Sequence, residues 1–231
     1  MAFQPYVAPE QFMKDRLEYA RKGIARGKSV VALEYLGGIL FLAENPSATL
    51  HKISEIYDRI AFAGVGKYSE FEEMRIAGVR LADLRGYSYG REDVNVRTLA
   101  NAYSQALSAI FTQQMMKPYE VEILVGQVDD TASGSANELY HVLFDGSVTD
   151  EHGFVGIGGR AEELTQELKD KYEEGADLAA SVKLAVAALS TVEGREISPD
   201  QIEAAVLDRE RKGRRKFRRM PDAEVGELLG S

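Results

Sequence analysis

The three histidines are the residues of this 231-residue chain whose type best suits metal binding or proton transfer. His51, His141 and His152 are not spaced as metal ligands on one helix are, with three residues between two histidines. The chain has no cysteine, so neither a disulfide nor a thiolate metal site can form. We therefore expect no metal centre and no cofactor.

A glycine-rich stretch is the second candidate for chemistry. Residues 156–161 read Gly-Ile-Gly-Gly-Arg-Ala and match G-x-G-x-x-A, the pattern that approaches the pyrophosphate of a dinucleotide. The stretch follows a predicted strand and opens a helix predicted over 161–173. The next segment is predicted to be another helix, and no acidic residue ends a second strand about 20 residues on. A small-residue turn is the favoured interpretation, and dinucleotide binding remains a weaker alternative.

The third candidate is a basic run over residues 209–219. It holds eight lysines and arginines and one glutamate, a charge of +7, whereas the whole chain carries −9. Such a run can bind nucleic acid phosphates. Its only interleaved aromatic residue is Phe217. A hairpin crest that faces acidic neighbours is the favoured interpretation, so we expect no nucleic acid partner.

The elements that must position these residues are predicted from hydrophobic periodicity. Met13, Leu17, Ala20 and Ile24 form one apolar stripe on a helix over residues 9–26, with Pro9 at its first position. Residues 29–33 and 39–43 are apolar strands around Gly37-Gly38, whose positive φ values suit a hairpin turn. Residues 84–94 are rich in glycine and tyrosine and are interpreted as a connection.

The remaining elements complete a regular order. The pattern predicts two short strands within residues 51–66, followed by a helix that begins near Gly66. A second helix starts at 96 and is ended by Lys117-Pro118. Strands at 120–128 and 139–143, two more helices and a final hairpin at 202–207 and 217–220 follow. Residues 221–231 are acidic and are predicted to be frayed or helical. This order suits two stacked antiparallel sheets with helix pairs outside, an α+β four-layer αββα sandwich in a single domain.

The chain also lacks the features of an exported or membrane protein. Its first residues have neither the basic region nor the apolar core of a signal peptide, and no apolar run approaches the length of a membrane span. We therefore expect a soluble, cytoplasmic protein with no membrane partner.

Several short motifs resemble one family. Gly27 precedes a short strand, a glycine turn and a second strand that ends in Glu44, as in the opening hairpin of proteasome subunits. Glu18-Tyr19-Ala20-Arg21 resembles the Glu-Tyr-Ala-Arg of the helix that proteasome α subunits carry before this hairpin. Lys117-Pro118-Tyr119 resembles the family's Arg-Pro-Tyr. In the family, a gating tail with a Tyr-Asp-Arg triplet and a proline precedes this helix; here Pro9 matches the proline, but the triplet is missing. Actinobacterial α subunits resemble this chain in lacking the triplet, and the chain is similar to them over essentially all of residues 1–222.

The resemblance implies an Ntn-hydrolase-like fold without catalysis. In the family's proteolytic β subunits, self-cleavage after the glycine exposes a threonine whose hydroxyl attacks the peptide. Here Lys28 follows Gly27, and a lysine has no hydroxyl. We therefore predict a non-catalytic subunit of a threonine-type endopeptidase complex. A self-processing hydrolase remains an alternative.

The resemblance also implies partners and site residues. Identical chains would form heptameric outer rings against rings of β subunits, and a hexameric ATPase that handles unfolded or Pup-tagged proteins would dock on the outer face through its C-terminal residues. The activator-binding residues implied are Glu18, Gly27, Lys52, Gly66 and Lys67. Lys52 is chosen because the Lys-Ile of 52–53, Tyr57-Asp58-Arg59 and the Ala-Gly-Val-Gly of 63–66 match its family context. The gate residues implied are Phe3, Gln4, Pro5, Tyr6, Val7 and Pro9, in a flexible tail over residues 1–8.

Overall fold

The computed structural model of the chain describes residues 8–129 and 137–230. Within them lie six α-helices and ten strands. In chain order these are α1 (Pro9–Ile24), β1 (Val30–Tyr35), β2 (Gly38–Glu44), β3 (Ile53–Tyr57), β4 (Ile60–Gly66), α2 (Tyr68–Ser88), α3 (Val96–Thr112), β5 (Val121–Val128), β6 (Asn137–Val142), β7 (Val148–Glu151), β8 (Phe154–Ile157), α4 (Ala161–Lys169), α5 (Leu178–Glu193), β9 (Ile202–Asp208), β10 (Phe217–Met220) and α6 (Asp222–Leu229).

The strands form two antiparallel sheets of five strands each. The first sheet has the order β10-β9-β2-β1-β8, and the second has the order β3-β4-β5-β6-β7. Thus β10 and β3 are edge strands at one side of the molecule, where Arg219 on β10 donates to the Ile53 carbonyl oxygen at 2.7 Å. The other two edge strands are β8 and β7.

Three apolar clusters divide the fold into four layers. The inner cluster joins the two sheets, for example through Phe41 of the first and Leu124 of the second, and Ala20 and Ile24 of α1 close one of its ends. A second cluster packs α4, α5 and α6 on the outer face of the first sheet. A third packs α2 and α3 on the outer face of the second sheet. The αββα sandwich predicted from the sequence is confirmed.

The opening hairpin forms as predicted, although its two glycines have different roles. In the described chain only Gly38 of the pair has a positive φ, +154°. A Cβ atom at that position would lie 1.9 Å from the Leu207 carbonyl oxygen on β9. The glycine is thus needed because β9 approaches the backbone closely, and not only because the chain turns.

Several sequence predictions about elements were wrong. Residues 84–88 are the last turn of α2 rather than a connection, since helical hydrogen bonding continues to Tyr89, whose N–H reaches the Arg85 carbonyl. Helix α3 ends at Thr112, five residues before Lys117. Met13 is 37% exposed, so the apolar stripe of α1 is shorter than predicted. By contrast, the helical alternative predicted for residues 221–231 is the one observed: residues 222–229 form a helix, and Val225 on it is completely buried.

Helix α1 is attached to the sandwich by a buried arginine. Arg16 is 6% exposed. Its guanidinium donates to the carbonyl oxygens of Phe111 at 2.7 Å, Met116 at 2.6 Å and Ile110 at 3.0 Å. A guanidinium suits this place because it brings several donors and a positive charge to the carboxyl end of α3.

Replacing Arg16 by alanine is expected to lower the free energy of unfolding by about 2–4 kcal/mol, since buried carbonyl groups lose a charged donor. Urea denaturation of the purified chain measures this loss, and hydrogen exchange should locate faster exchange in α1. The exposed Lys14 on the same helix is the control. Its change to alanine should cost less than about 0.5 kcal/mol, and equal losses for both variants would contradict the anchoring role.

Candidate functional site

Four of the five residues predicted to bind an activator lie close together at one end of the sheets. Gly27 lies between α1 and β1, and a Cβ atom on it would be 3.0 Å from the Gly66 backbone nitrogen at the end of β4. Lys67 follows Gly66 directly. The Lys52 ammonium donates to the carbonyl oxygen of Lys28, the neighbour of Gly27, at 2.6 Å. The structure thus brings together Gly27, Lys52, Gly66 and Lys67.

The close approach of three backbone segments requires glycine at position 66. Gly66 has a φ of +105°, and a Cβ atom there would lie 1.8 Å from the Glu120 carbonyl oxygen. The Lys67 N–H donates to that same carbonyl oxygen at 2.9 Å. Any larger residue would separate β4 from the segment that leads into β5.

Lys52 is held at this site by its backbone as well as its side chain. Its N–H donates to Glu203 Oε2 at 2.8 Å, and the next N–H, that of Ile53, donates to Glu203 Oε1 at 3.1 Å. Burial lowers the pKa of Lys52 to about 8, although the nearby charges of Glu203 and Glu44 oppose this shift. One of the three ammonium donors is used by Lys28, which leaves two for a ligand.

Lys28, which stands where the family's β subunits expose their nucleophile, lies among carboxylates. Its ammonium is 3.0 Å from Glu193 and 3.3 Å from Glu44, and the hydrogen bond to Glu193 is the main reason why its pKa is raised. Arg195 also pairs with Glu44, which is almost completely buried. Residues 9–27 are folded, because α1 is followed by a turn in which the Gly27 N–H donates to the Ile24 carbonyl oxygen at 2.9 Å.

Lys67 lies beside a second charged group that sequence analysis missed. Glu70 is 5% exposed and lies 3.4 Å from the Lys67 ammonium. Lys117 also pairs with Glu70, and Glu70 accepts the Glu120 N–H at 2.7 Å. These contacts hold Glu70 and Lys117 next to Gly66 and Lys67. Lys117 belongs to the Lys-Pro-Tyr motif noted in the sequence, but that motif does not reveal Glu70, since residues 70 and 117 are far apart in sequence.

Glu18 is the predicted site residue that the structure does not place with the others. It lies on the exposed side of α1, where its carboxylate is 3.5 Å from Lys22, its one ion-pair partner within residues 8–129 and 137–230. Of the predicted gate residues, Pro9 is the first residue of α1. Phe3, Gln4, Pro5, Tyr6 and Val7 lie outside the described residues.

The glycine-rich stretch at 156–161 has a packing role that contradicts dinucleotide binding. Strand β8 pairs antiparallel with β1, and α4 leads into α5, so no parallel βαβ unit follows. Cβ atoms on Gly158 and Gly159 would lie 3.2 Å from Ser29 Cα and 2.7 Å from Ala25 Cα. The Gly158 N–H donates to the Glu122 carboxylate at 3.0 Å, which disfavours a phosphate there. The glycines let this turn pack against the segment between α1 and β1.

The basic run is largely paired within the chain. Arg215 lies 2.5 Å from Glu55, Arg218 lies 2.5 Å from Glu224, and Arg219 lies 2.5 Å from Glu203. The predicted hairpin with acidic neighbours is confirmed for these three residues. Lys212 and Arg214 are exposed at the turn, and neither has an ion pair to another residue in the described part of the chain.

The histidines do not form a metal site in the part of the chain that the structure describes. There, no group of three or more histidine, aspartate and glutamate side chains is arranged to hold a metal ion. His51 Nδ1 lies 3.4 Å from Glu203, and His141 lies between Glu122 and Glu151 at 3.7 and 3.9 Å.

Among the described helices, none is long and apolar enough to cross a membrane.

Comparison with known proteins agrees with this architecture. The family model described as "Proteasome subunit" matches residues 24–207. A protein named "Proteasome subunit alpha" from Acidothermus cellulolyticus is 58% identical over 97% of this chain and 96% of its own length. Proteins of the same name from Nocardioides sp. and Saccharopolyspora erythraea are 56% and 57% identical, over 100% and 98% of this chain and 90% and 88% of their own lengths. The chain therefore belongs to the proteasome subunit family, among its subunits of the alpha type.

Proposed function

We propose that this chain is a non-catalytic α subunit of a bacterial proteasome core particle, and that it forms heptameric outer rings that control substrate entry and receive a regulatory ATPase. The observation that carries the proposal is Lys28. A β-type subunit needs a free hydroxyl nucleophile directly after the glycine, whereas here an ammonium paired with Glu44 and Glu193 stands in a continuous folded chain.

The test of this function is co-expression with a β partner. Electron microscopy should find stacked rings with seven-fold symmetry in which this chain occupies the outer positions. Intact mass should show that the chain keeps the residues before Lys28. Loss of the first 27 residues would support the self-processing hydrolase instead, and a β-type particle without outer rings of this chain would contradict the proposal.

We also propose that Lys52, Gly27, Gly66 and Lys67, with Glu18 of a neighbouring copy, form a pocket for the terminal carboxylate of the ATPase. The half-buried Lys52 ammonium has two further donors, and its one acceptor is the carbonyl oxygen of Lys28, next to Gly27, which packs against Gly66. A terminal carboxylate is a ligand that such an ammonium binds strongly. Unfolded and Pup-tagged proteins would be the substrates delivered through this docking.

The pocket predicts a pH dependence of docking. The pKa of Lys52 is lowered to about 8, so the amine loses its charge as the pH rises through this value. A bound carboxylate favours the charged form and raises that pKa. Activator affinity should therefore be nearly constant below about pH 7.5 and fall by up to about tenfold per pH unit above the free pKa. Biolayer interferometry across this range measures it, and Lys52→Ala should remove the slope. A slope that persists in the variant would show that another group is responsible.

The proposed gate predicts a second result. Residues 1–8 directly precede the helix that Pro9 begins, so seven copies would converge at the pore of a ring. Deletion of residues 2–8 should raise degradation of an unfolded protein by the assembled particle several-fold, with a smaller effect on short peptides, which pass a narrow opening more easily. Lys14→Ala, a change on the exposed side of α1, is the control. An unchanged protein-degradation rate in intact particles would remove the gating role.

A further inference from the structure

The two side edges of the sandwich carry opposite charge. At the β3/β10 edge, a cleft of about 400 Å³ is lined by Arg75, Arg211, Arg215, Arg218 and Arg219, with Glu55 as its only acidic lining residue in the described chain. Four of these arginines pair with glutamates of the same chain, whereas Arg211 donates to the Phe217 carbonyl. Together with the exposed Lys212 and Arg214 at the adjoining turn, Arg211 leaves this edge with surplus positive charge. We refer to residues 211–215 as the basic corner.

The opposite edge is a short strand with acidic residues. Strand β7 pairs only with β6 among the described strands, so its outer backbone groups have no strand partner there. Val148, Thr149 and Asp150 are exposed, and Glu151 follows them. The pKa of Glu151 is raised, mainly by burial. An exposed edge strand of this kind is a surface that another chain can cover. We refer to Asp150 and Glu151, at the end of β7, as the acidic edge.

The basic corner and the acidic edge lie at the same end of the sandwich. Arg209, just before the corner, donates its N–H to the Gly37 carbonyl in the β1–β2 turn at 2.8 Å. On the other side, Asn137 donates to the Gly38 carbonyl at 3.3 Å, and the strand register places Asp150 opposite Tyr140 and Glu151 opposite Leu139. Both features therefore lie toward the β1–β2 turn. If two copies lie side by side and are related by a rotation, the basic corner of one copy meets the acidic edge of its neighbour.

We propose that the basic corner of one copy binds the acidic edge of a second copy of this chain, as a head-to-tail contact that repeats around a closed ring. Opposite charges at two different surfaces favour a heterologous contact over a two-fold one, since a two-fold contact would oppose like charges. The inference rests on the proposed ring subunit and assigns the surfaces through which its copies meet. The contact also explains why Glu18 lies apart from Lys52 in one copy. Helix α1 is on the side of the acidic edge, where Leu17 and Arg21 line a cleft with Asp145, whereas Lys52 directly precedes β3 on the side of the basic corner. Side-by-side packing would bring Glu18 of one copy toward Lys52 of its neighbour.

Site-directed crosslinking tests the contact, because the chain has no cysteine of its own. A chain with Asp150→Cys and Arg214→Cys, assembled with its β partner and treated with a short bis-maleimide, should give a ladder of covalent multimers of this chain. Asp150→Cys combined with Glu196→Cys is the control, since Glu196 is exposed on the segment after α5. The control should remain monomeric on a denaturing gel. Seven-fold rings without a ladder would contradict the proposed contact while leaving the ring function intact.

Charge reversal provides a second, independent measurement. Lys212→Glu with Arg214→Glu should weaken association of copies by more than about tenfold in sedimentation of particles assembled with the β partner. Asp150→Lys with Glu151→Lys should do the same, and all four changes in one chain should restore most of the association. Circular dichroism melting checks that each variant is folded. Equal loss in the four-fold variant would overturn the proposal, as would a shift of labelled duplex DNA by the basic corner without any effect on assembly.

Discussion

Replacing Lys52 by alanine is expected to weaken binding of the activator to intact particles by roughly tenfold to a hundredfold per occupied pocket. A charge-assisted hydrogen bond of this kind, partly shielded from water, contributes on the order of 1.5–3 kcal/mol. The loss should be larger in the assembly, because several pockets on one ring are engaged together and their losses multiply.

The variant should still fold and assemble. Lys52 loses one hydrogen bond to the Lys28 carbonyl, but its backbone N–H keeps Glu203 in place. The depressed pKa also means that the buried charge costs free energy in the folded chain at neutral pH, since burial lowers this pKa. Removal of the ammonium should therefore have a small effect on stability. Lys22→Ala on α1 is the control for loss of an exposed charge, because the Lys22 side chain is 75% exposed.

Four affinities decide whether Lys52 contacts the carboxylate directly. Biolayer interferometry would measure wild-type and Lys52→Ala particles, each with the full activator and with an activator that lacks its last residue. For partners in one interaction, the combined change should cost less than the sum of the two single changes. Additive losses, or a change within about 0.5 kcal/mol for Lys52→Ala, would contradict the pocket.

The layers of the fold could be predicted because their signals are local. Strands β1 and β2 are apolar runs on either side of a glycine pair, and Val121, Ile123 and Val125 alternate along β5 as predicted and share one buried cluster. The end of α2 could not be predicted in this way. Its last turn contains Gly86 and Tyr87, which are weak helix formers. A Cβ atom on Gly86 would lie 2.2 Å from the Tyr57 hydroxyl, so tertiary packing rather than helix propensity explains the glycine at this position.

The candidate site was only partly predictable for a different reason. Lys52 and Gly66 were found through short motifs, and the structure places them beside Gly27. The carboxylates that set the electrostatics of Lys52 were missed, because Glu203 is 151 positions further along the chain. A charge pattern read along the sequence cannot identify a partner that the pairing of β2 with β9 brings close.

Glu203 is the residue whose loss should affect stability most. It is 7% exposed, lies on β9 of the first sheet, and binds the start of β3 in the second sheet. It accepts the N–H groups of Lys52 and Ile53 and the Asn45 side-chain amide at 2.7 Å, and it pairs with Arg219 at 2.5 Å. These contacts join the two sheets at the edge where the inner apolar cluster ends.

Glu203→Ala should lower the free energy of unfolding by about 3–5 kcal/mol, because the half-buried Arg219 charge would lose its partner and two backbone N–H groups would be left without acceptors. Glu203→Gln should cost less, since its amide oxygen still accepts a hydrogen bond. Glu196→Ala, the loss of an exposed carboxylate on the same sequence segment, is the control. Urea denaturation of the three purified variants gives the comparison. If Glu203→Ala and Glu196→Ala unfold at the same urea concentration, the carboxylate does not hold the sheets together, and the position of Lys52 must depend on the Lys28 carbonyl and the β3–β4 pairing alone.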